Sequence, residues 1–164
     1  MKDHNIFILD YPFDLDILEL YWDKYEAGLE GYTDPRYDQV ADHWQISRSD
    51  MFPYAQELCD MFGIKNGKPR FYRLKANTEL PMHIDLNTEC SLNIVLSDKP
   101  APVNFEDGSY SYRSCILNTS VLHGVVNGPE DRRLFKISIF DQSFEEVCNN
   151  ILQSDSMYSR SKQP

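Results

Sequence analysis

The sequence lacks the features that would place the chain in a membrane or in an oxidising compartment. No apolar run is long enough to cross a bilayer, and the first residues show no signal-peptide pattern. The four cysteines, at positions 59, 90, 115 and 148, form neither a CxxC pair nor a compact framework, which indicates reduced thiols. We therefore expect a cytoplasmic protein.

Basic residues are scarce, with 16 Lys and Arg against 26 Asp and Glu, and the formal net charge is −10 at pH 7. A chain of this charge is poorly suited to a nucleic-acid backbone or an anionic membrane surface, so we expect neither as a partner. Internal repeats and low-complexity segments are also absent. The length of 164 residues predicts one domain.

The N-terminal part, residues 1–66, carries the signals of helices. Apolar residues recur at spacings of three and four between residues 14 and 28, and a second helix is predicted from residue 49 or 50 to residue 62, with Gly63 as its C-cap. The short apolar run 5–9 predicts an edge strand, and the polar, tyrosine-rich segment 31–45 predicts a loop. We interpret residues 1–66 as helical support for the remainder.

The pattern changes from residue 67 to residue 142, where short β-type runs alternate with turn signals. The runs cover residues 70–75, 80–86, 90–96, 102–105, 109–113, 114–117, 120–126 and 133–140. Such closely spaced strands predict a mainly β fold, a double-stranded β-helix or jelly roll, with N-terminal supporting helices. A short C-terminal helix over residues 143–153, opened by a capping box, and a flexible tail over residues 154–164 complete the prediction.

Three residues in the β-rich part are candidate metal ligands. His83 and Asp85 lie two residues apart in an apolar run, and alternation along a strand points their side chains to the same face. His123 lies forty positions after His83, in a second apolar run. Two imidazoles and one carboxylate are the ligand set of non-haem Fe(II) oxygenases. Taken singly, each residue has a plainer interpretation, a solvent-facing strand for the first two and a core histidine for the third.

Two adjacent arginines open the last predicted strand. A 2-oxo acid held at a metal needs a cation for its far carboxylate, and a guanidinium group matches a carboxylate with two hydrogen bonds. Only one of Arg132 and Arg133 can face inward, and Lys136 shares the face of Arg132; hydrophobicity alone does not decide between them. If residues 127–131 form a hairpin, this strand runs beside that of His123.

These residues resemble the Fe(II)- and 2-oxoglutarate-dependent dioxygenases over about residues 70–144. The matching elements are the His-x-Asp motif, the distal histidine and Arg133 ten positions after it, and the run 133–140 looks like the last core strand of the prolyl hydroxylase and aspartyl/asparaginyl β-hydroxylase branches. The aspartyl/asparaginyl enzymes usually lack the ligand carboxylate, so Asp85 places the chain closer to the larger His-x-Asp group.

The resemblance implies Fe(II), 2-oxoglutarate and O2, with decarboxylation of 2-oxoglutarate to succinate coupled to hydroxylation of a second substrate. It implies that His83, Asp85 and His123 ligate and catalyse at the iron, and it favours Arg133 for the 5-carboxylate of 2-oxoglutarate. The implied substrate is a small molecule or an amino-acid side chain, free or peptidyl.

Two further polar residues are candidates for contact with the co-substrate. Asn93 lies in an otherwise apolar strand, where a structural hydrogen bond to neighbouring backbone is an equal alternative. Tyr72 lies in the first strand of the predicted barrel, where packing is the commoner role of a tyrosine. Two other functions compete with the oxygenase. One is a cupin-type metalloenzyme that does not use 2-oxoglutarate, and the other is a non-catalytic jelly-roll binding module.

Overall fold

The computed structural model describes residues 2–34 and 39–161. Within these residues the chain alternates strands and helices in the N-terminal third and then forms strands almost without interruption. The elements are β1 Ile6–Ile8, α1 Leu15–Tyr25, β2 Glu30–Asp34, β3 Gln39–Arg48, α2 Pro53–Phe62, β4 Gly67–Leu74, β5 Glu79–His83, β6 Cys90–Val95, β7 Val103–Phe105, β8 Gly108–Tyr110, β9 Ser114–Leu117, β10 His123–Val126, β11 Arg132–Ile139 and α3 Phe144–Ser161.

The strands form two antiparallel sheets that face each other. The large sheet has the order β1-β9-β6-β11-β4-β3-β2 and the small sheet the order β5-β10-β7-β8. Apolar side chains from both sheets meet in an inner core that includes Tyr72, Leu134 and Phe105. The predicted mainly β jelly roll with helices at both ends is therefore confirmed.

From β4 onward the chain passes back and forth between the two sheets, apart from the β7–β8 hairpin in the small sheet, and this corrects one prediction. The strands β10 and β11 are not paired as a hairpin, because β10 lies between β5 and β7 while β11 lies between β6 and β4. The connection between them crosses from one sheet to the other and is held by the side-chain amide of Asn127, which donates to the carbonyl groups of Leu74 and Glu130 at 3.0 Å each. As a result, His123 and β11 face each other across the space between the sheets.

The N-terminal part is only partly helical. Helix α1 begins at Leu15, where Asp14 Oδ1 accepts a hydrogen bond from the amide of Ile17 at 3.1 Å, and α2 ends at Gly63 with a positive φ of 67°. The prediction of a loop over residues 31–45 is wrong, because β2 and most of β3 occupy this segment, of which residues 35–38 lie outside the described part. β3 pairs with β4 and widens the large sheet, a tertiary contact that the polar, tyrosine-rich composition does not indicate.

The helices cover the outer face of the large sheet and bury a second apolar core. This core joins α1, α2 and α3 to residues such as Phe71 and Phe135 on the sheet. Helix α3 begins as predicted, with Ser143 Oγ accepting from the amide of Glu146 at 3.1 Å. It then continues to Ser161, into the segment predicted as a flexible tail, since neither Gly nor Pro interrupts it; residues 162–164 lie outside the described part. No helix within residues 2–34 and 39–161 has the length and apolarity needed to cross a membrane.

Candidate metal centre and cavity

The pairing of β5 with β10 brings the two candidate histidines together. His83 and His123 lie directly opposite each other in this antiparallel pair, so their side chains share a face, and their ring centroids are 4.5 Å apart. Asp85 follows the end of β5, where its amide donates to the carbonyl of Thr119 at 3.0 Å. The structure thus brings together the three residues predicted as metal ligands.

One oxygen of Asp85 lies against both imidazoles. Asp85 Oδ1 is 3.0 Å from His83 Nε2 and 3.2 Å from His123 Nε2, and the potential ligand atoms of the three residues all lie within 4.8 Å of one another. The His123 and Asp85 side chains are only 7% and 15% exposed. This is a partly enclosed cluster of three donor atoms on one side of a cavity.

The other ring nitrogens determine what the cluster can bind. His83 Nδ1 lies 2.7 Å from the carbonyl oxygen of Pro81, and His123 Nδ1 lies 2.8 Å from that of Val121. A carbonyl only accepts hydrogen bonds, so each Nδ1 carries the proton, and in the neutral rings the lone pair is at Nε2. Two lone pairs and a carboxylate oxygen then point at one place. The two lone pairs and the carboxylate oxygen repel one another unless a cation binds between them. Together they form the donor set of an Fe(II) site.

The second oxygen of Asp85 belongs to a buried ion pair. Lys136, on β11 across the cavity, places its Nζ 2.7 Å from Asp85 Oδ2. Burial alone would raise the pKa of the Asp85 carboxyl, but the ammonium group of Lys136 outweighs burial and holds this pKa well below its usual range. Burial likewise lowers the pKa of Lys136, and the carboxylate raises it above its ordinary value. Both groups are therefore ionised at neutral pH.

The three donors open into a cavity of about 370 Å³ between the sheets. Arg132 lines its wall and is only 3% exposed. Its guanidinium group donates to the carbonyl of Ala101 at 2.5 Å and to the hydroxyl of Tyr112 at 2.9 Å, and burial raises the pKa of that hydroxyl, so Tyr112 is neutral. Within the described part of the chain no carboxylate pairs with Arg132, so its buried charge is available to an anionic ligand.

Arg133 does not enter the cavity, contrary to the prediction. Its Nη1 donates to Glu19 Oε2 at 2.7 Å, and its guanidinium group lies 5.4 Å from the ring centroid of Trp22, both on α1. Because side chains alternate along β11, Arg132 and Lys136 line the cavity while Arg133 faces the helices. The alternative that hydrophobicity left open, with Arg132 facing inward, is the one observed.

Tyr72 and Asn93 both line the cavity. The Tyr72 ring stacks on Trp44, with centroids 4.8 Å apart, and Lys136 Nζ lies 5.3 Å from its centroid. Asn93 donates to the hydroxyl of Tyr112 at 3.2 Å and thereby joins the hydrogen-bond network of Arg132. No role was predicted for Tyr112, which precedes β9 without any motif, or for Lys136. The only signal for Lys136 was that it shares a face of the strand with Arg132.

The other two histidines lie apart from this cluster. His4 is exposed, His43 is half-buried on β3, and neither lines the cavity. His43 therefore provides a matched control for substitutions of the clustered histidines.

Gly124 permits the close approach of β10 to β5 that positions His123. A Cβ added at Gly124 would lie 2.6 Å from the carbonyl oxygen of Leu80 and 3.0 Å from the amide nitrogen of Met82, both backbone atoms. We expect Gly124→Ala to lower the free energy of unfolding by about 1–3 kcal/mol and to weaken metal binding, because the strand carrying His123 must move. Denaturant unfolding and metal titration measure the two effects.

Gly128 is the matched control for this substitution, since a Cβ there would meet nothing within 4 Å. Gly128→Ala should leave both the unfolding free energy and the metal affinity close to those of the unmodified protein. Equal effects of the two substitutions would contradict the role given to Gly124.

Comparison with solved structures shows which proteins share this fold. A prolyl hydroxylase from Trichoplax adhaerens, in complex with a hypoxia inducible factor oxygen degradation domain peptide fragment, matches with a TM-score of 0.64 and 12% identity over 88% of this chain and 85% of that one. A Pseudomonas putida prolyl-4-hydroxylase matches with a TM-score of 0.58 and 15% identity, over 82% and 91% of the two chains. The DMSP lyase DddQ from Ruegeria pomeroyi matches with a TM-score of 0.54 and 9% identity, over 85% and 68%. No protein-family model and no curated protein sequence matches the chain.

The fold is therefore the jelly roll of the prolyl hydroxylases and other 2-oxoglutarate- and Fe(II)-dependent oxygenases. This confirms, at the level of the fold, the resemblance noted in the sequence. Identities of 9–15% carry the comparison no further than the fold, so activity and substrate are argued below from the cavity itself.

Proposed function

We propose that the protein is an Fe(II)- and 2-oxoglutarate-dependent oxygenase. The observation that carries the proposal is the convergence of His83 Nε2, His123 Nε2 and Asp85 Oδ1 at one face of the cavity, with both Nδ1 protons directed at carbonyl groups. Three protein donors on one side leave the remaining coordination positions of an octahedral ion to small ligands. The shared fold with oxygenases supports the same conclusion.

In this proposal His83, Asp85 and His123 hold the iron, and Arg132 takes the role predicted for Arg133. Arg132 binds the far carboxylate of 2-oxoglutarate, which neutralises its buried charge, while Tyr112 and Asn93 keep the guanidinium group oriented. Iron supplies the activation of O2 when it is bound. The chain positions the co-substrate, and its two facing sheets limit the access of water.

The proposed reaction is hydroxylation of a small metabolite or of an amino-acid side chain, coupled to decarboxylation of 2-oxoglutarate to succinate. The Trichoplax adhaerens protein of this fold is in complex with a peptide fragment, which supports a peptidyl substrate as one of the choices.

The alternative is a cupin-type metalloenzyme that uses the same metal without 2-oxoglutarate. Two observations favour it: the fold is shared with a lyase, and Lys136 supplies a charged group beside the metal ligand Asp85. A non-catalytic binding module, the second alternative, gives no reason for three donors to converge.

The proposal is tested by spectroscopy on the unmodified protein. Anaerobic addition of Fe(II) and then 2-oxoglutarate should produce a weak visible charge-transfer band, because the co-substrate binds to the iron through its keto and carboxylate oxygens. The same protein loaded with Zn(II), which has a filled d shell, should show no band. Admission of O2 should then yield succinate from the iron-loaded sample alone.

Two results would contradict the proposal, and they point to different alternatives. Stoichiometric iron without a band on addition of 2-oxoglutarate would favour the cupin-type metalloenzyme. Failure to bind any divalent transition metal would favour the binding module.

A further inference from the structure

Three cations lie side by side across the large sheet, on the face that lines the cavity. Arg48 on β3 is directly opposite Arg70 on β4, and Arg70 is directly opposite Lys136 on β11. Directly opposite residues on neighbouring strands point to the same face, and all three side chains line the cavity. We refer to Arg48, Arg70 and Lys136 as the cation row.

The charge of the cation row is only partly neutralised by the protein. Lys136 pairs with Asp85, whereas the contacts of Arg70 are a 3.3 Å hydrogen bond to Ser138 Oγ and the Phe140 ring at 5.6 Å, both uncharged. Among the residues whose side chains the structure describes, 2–33 and 42–154, no carboxylate lies within ion-pair distance of Arg48 or Arg70. Like charges on directly opposite positions destabilise a sheet, and this chain has an excess of acids from which a partner could have come. An anion bound between the two arginines would offset this repulsion.

The arginine pair is separate from the group proposed to bind 2-oxoglutarate. Arg132 lies four residues before Lys136 on β11, which is about 13 Å along an extended strand. Arg70 is level with Lys136, while Arg132 is level with Leu74 at the far end of β4. Arg132 and the arginine pair thus lie at different levels of the sheet. With Arg132 assigned to the far carboxylate of 2-oxoglutarate, the arginine pair is available for a second anionic group.

Solvent exposure decreases along the cation row, so one end of the row faces solvent and the other faces the candidate metal ligands. Arg48 is exposed, Arg70 is half-buried and Lys136 is buried beside the metal ligand Asp85. We infer that the primary substrate carries a carboxylate or phosphate group that Arg48 and Arg70 bind, so that its reacting carbon extends inward past Lys136 toward the three candidate metal ligands. The inference rests on the proposed function and adds the chemical class of the substrate.

The test measures binding of matched acidic and neutral probes to protein loaded with Mn(II) and saturated with 2-oxoglutarate, so that Arg132 is already occupied. The carboxylate probe is N-acetyl-L-glutamic acid α-amide, with N-acetyl-L-glutamine α-amide as its neutral counterpart. The phosphate probe is N-acetyl-O-phospho-L-serine amide, with N-acetyl-L-serine amide as its neutral counterpart. Calorimetry should detect at least one acidic probe and neither neutral one. The acid that binds more tightly identifies which of the two anionic groups the substrate carries.

Substitutions at single residues identify which side chains bind the acidic probe. Arg70→Gln and Arg48→Gln should each lower the affinity for the acidic probe by about tenfold or more, as expected when a charge-assisted hydrogen bond is lost. Lys68→Gln is the matched control, because Lys68 is an exposed cation on the same strand that does not line the cavity. All three variants should retain Mn(II) and 2-oxoglutarate binding, which also shows that they are folded.

The outcomes separate this inference from the proposed function. If the protein binds Mn(II) and 2-oxoglutarate but no acidic probe, or if Lys68→Gln weakens the probe as much as Arg70→Gln, the inference is wrong and the proposed function stands. If the protein binds no metal or no 2-oxoglutarate, the proposed function fails first, and the inference about an oxygenase substrate fails with it.

Discussion

Asp85→Ala should abolish metal binding and lower the free energy of unfolding of the metal-free protein by about 3–5 kcal/mol. Asp85 has two roles in the structure, one for each oxygen. Its Oδ1 contacts both imidazoles, and its Oδ2 neutralises Lys136 at 2.7 Å. Removal of the carboxylate takes one of three donors from the metal and also leaves a buried ammonium group without a partner. Metal content after dialysis and denaturant unfolding measure the two losses separately.

A second substitution distinguishes these roles. Asp85→Ala combined with Lys136→Met should recover most of the lost stability, because the unpaired buried charge is gone, but it should not recover metal binding. His43→Ala is the control, since it removes an imidazole outside the cluster and should change neither quantity appreciably. Stoichiometric iron in the Asp85→Ala protein would exclude Asp85 as a ligand, and an unchanged unfolding free energy would contradict the buried ion pair.

The sequence predicted best that His83, Asp85 and His123, the candidate metal ligands, lie together. The spacing of the His-x-Asp pair correctly indicated two neighbouring donors, but strand alternation accounts only for His83, because β5 ends there. Asp85 lies just after the strand, where its amide donates to the carbonyl of Thr119. The position of His123 depended on more, namely that β10 pairs with β5 in the register that sets it opposite His83. The resemblance to a family of proteins, rather than the spacing, supplied that step.

The orientation of β11 could not be derived from its composition. Both faces of this central strand are covered, one by the helices and the other by the cavity and inner core, so apolar residues such as Leu134 and Phe135 alternate without marking an inside. The deciding partner of Arg133 is Glu19, which is 114 positions away in sequence on α1. A contact of that range is a property of the tertiary structure.

The strands β2 and β3 were missed for a related reason. Their segment is rich in polar residues and tyrosine and contains Pro35, which are loop signals when it is considered alone. β3 is held by pairing with β4 from Trp44 to Arg48 rather than by its own propensity. This pairing also places Arg48 beside Arg70, so the error concealed half of the arginine pair on which the substrate inference depends.

Arg132→Met should weaken 2-oxoglutarate binding by about a hundredfold or more, while Arg133→Met should change it by less than about twofold. The two residues are adjacent, carry the same charge and undergo the same substitution, but they face opposite sides of β11. Arg132 is 3% exposed and its charge has no carboxylate partner in the described part of the chain. Arg133 pairs with Glu19 on a partly exposed surface, where an ion pair contributes only about 0–1 kcal/mol to stability.

Calorimetric titration of 2-oxoglutarate into the Mn(II)-loaded variants measures the difference directly. Arg132→Met should still bind Mn(II), because none of the three metal ligands contacts Arg132, and retained metal shows that the variant is folded. Arg132→Lys should recover part of the affinity, since it restores the positive charge without the planar pair of donors that matches a carboxylate. The reverse pattern, with affinity lost in Arg133→Met and kept in Arg132→Met, would show that the orientation of β11 described here is not the one that binds the co-substrate. Unchanged affinity in both variants would assign the far carboxylate to another cation of the cavity, of which Lys136 is the nearest to the metal ligands.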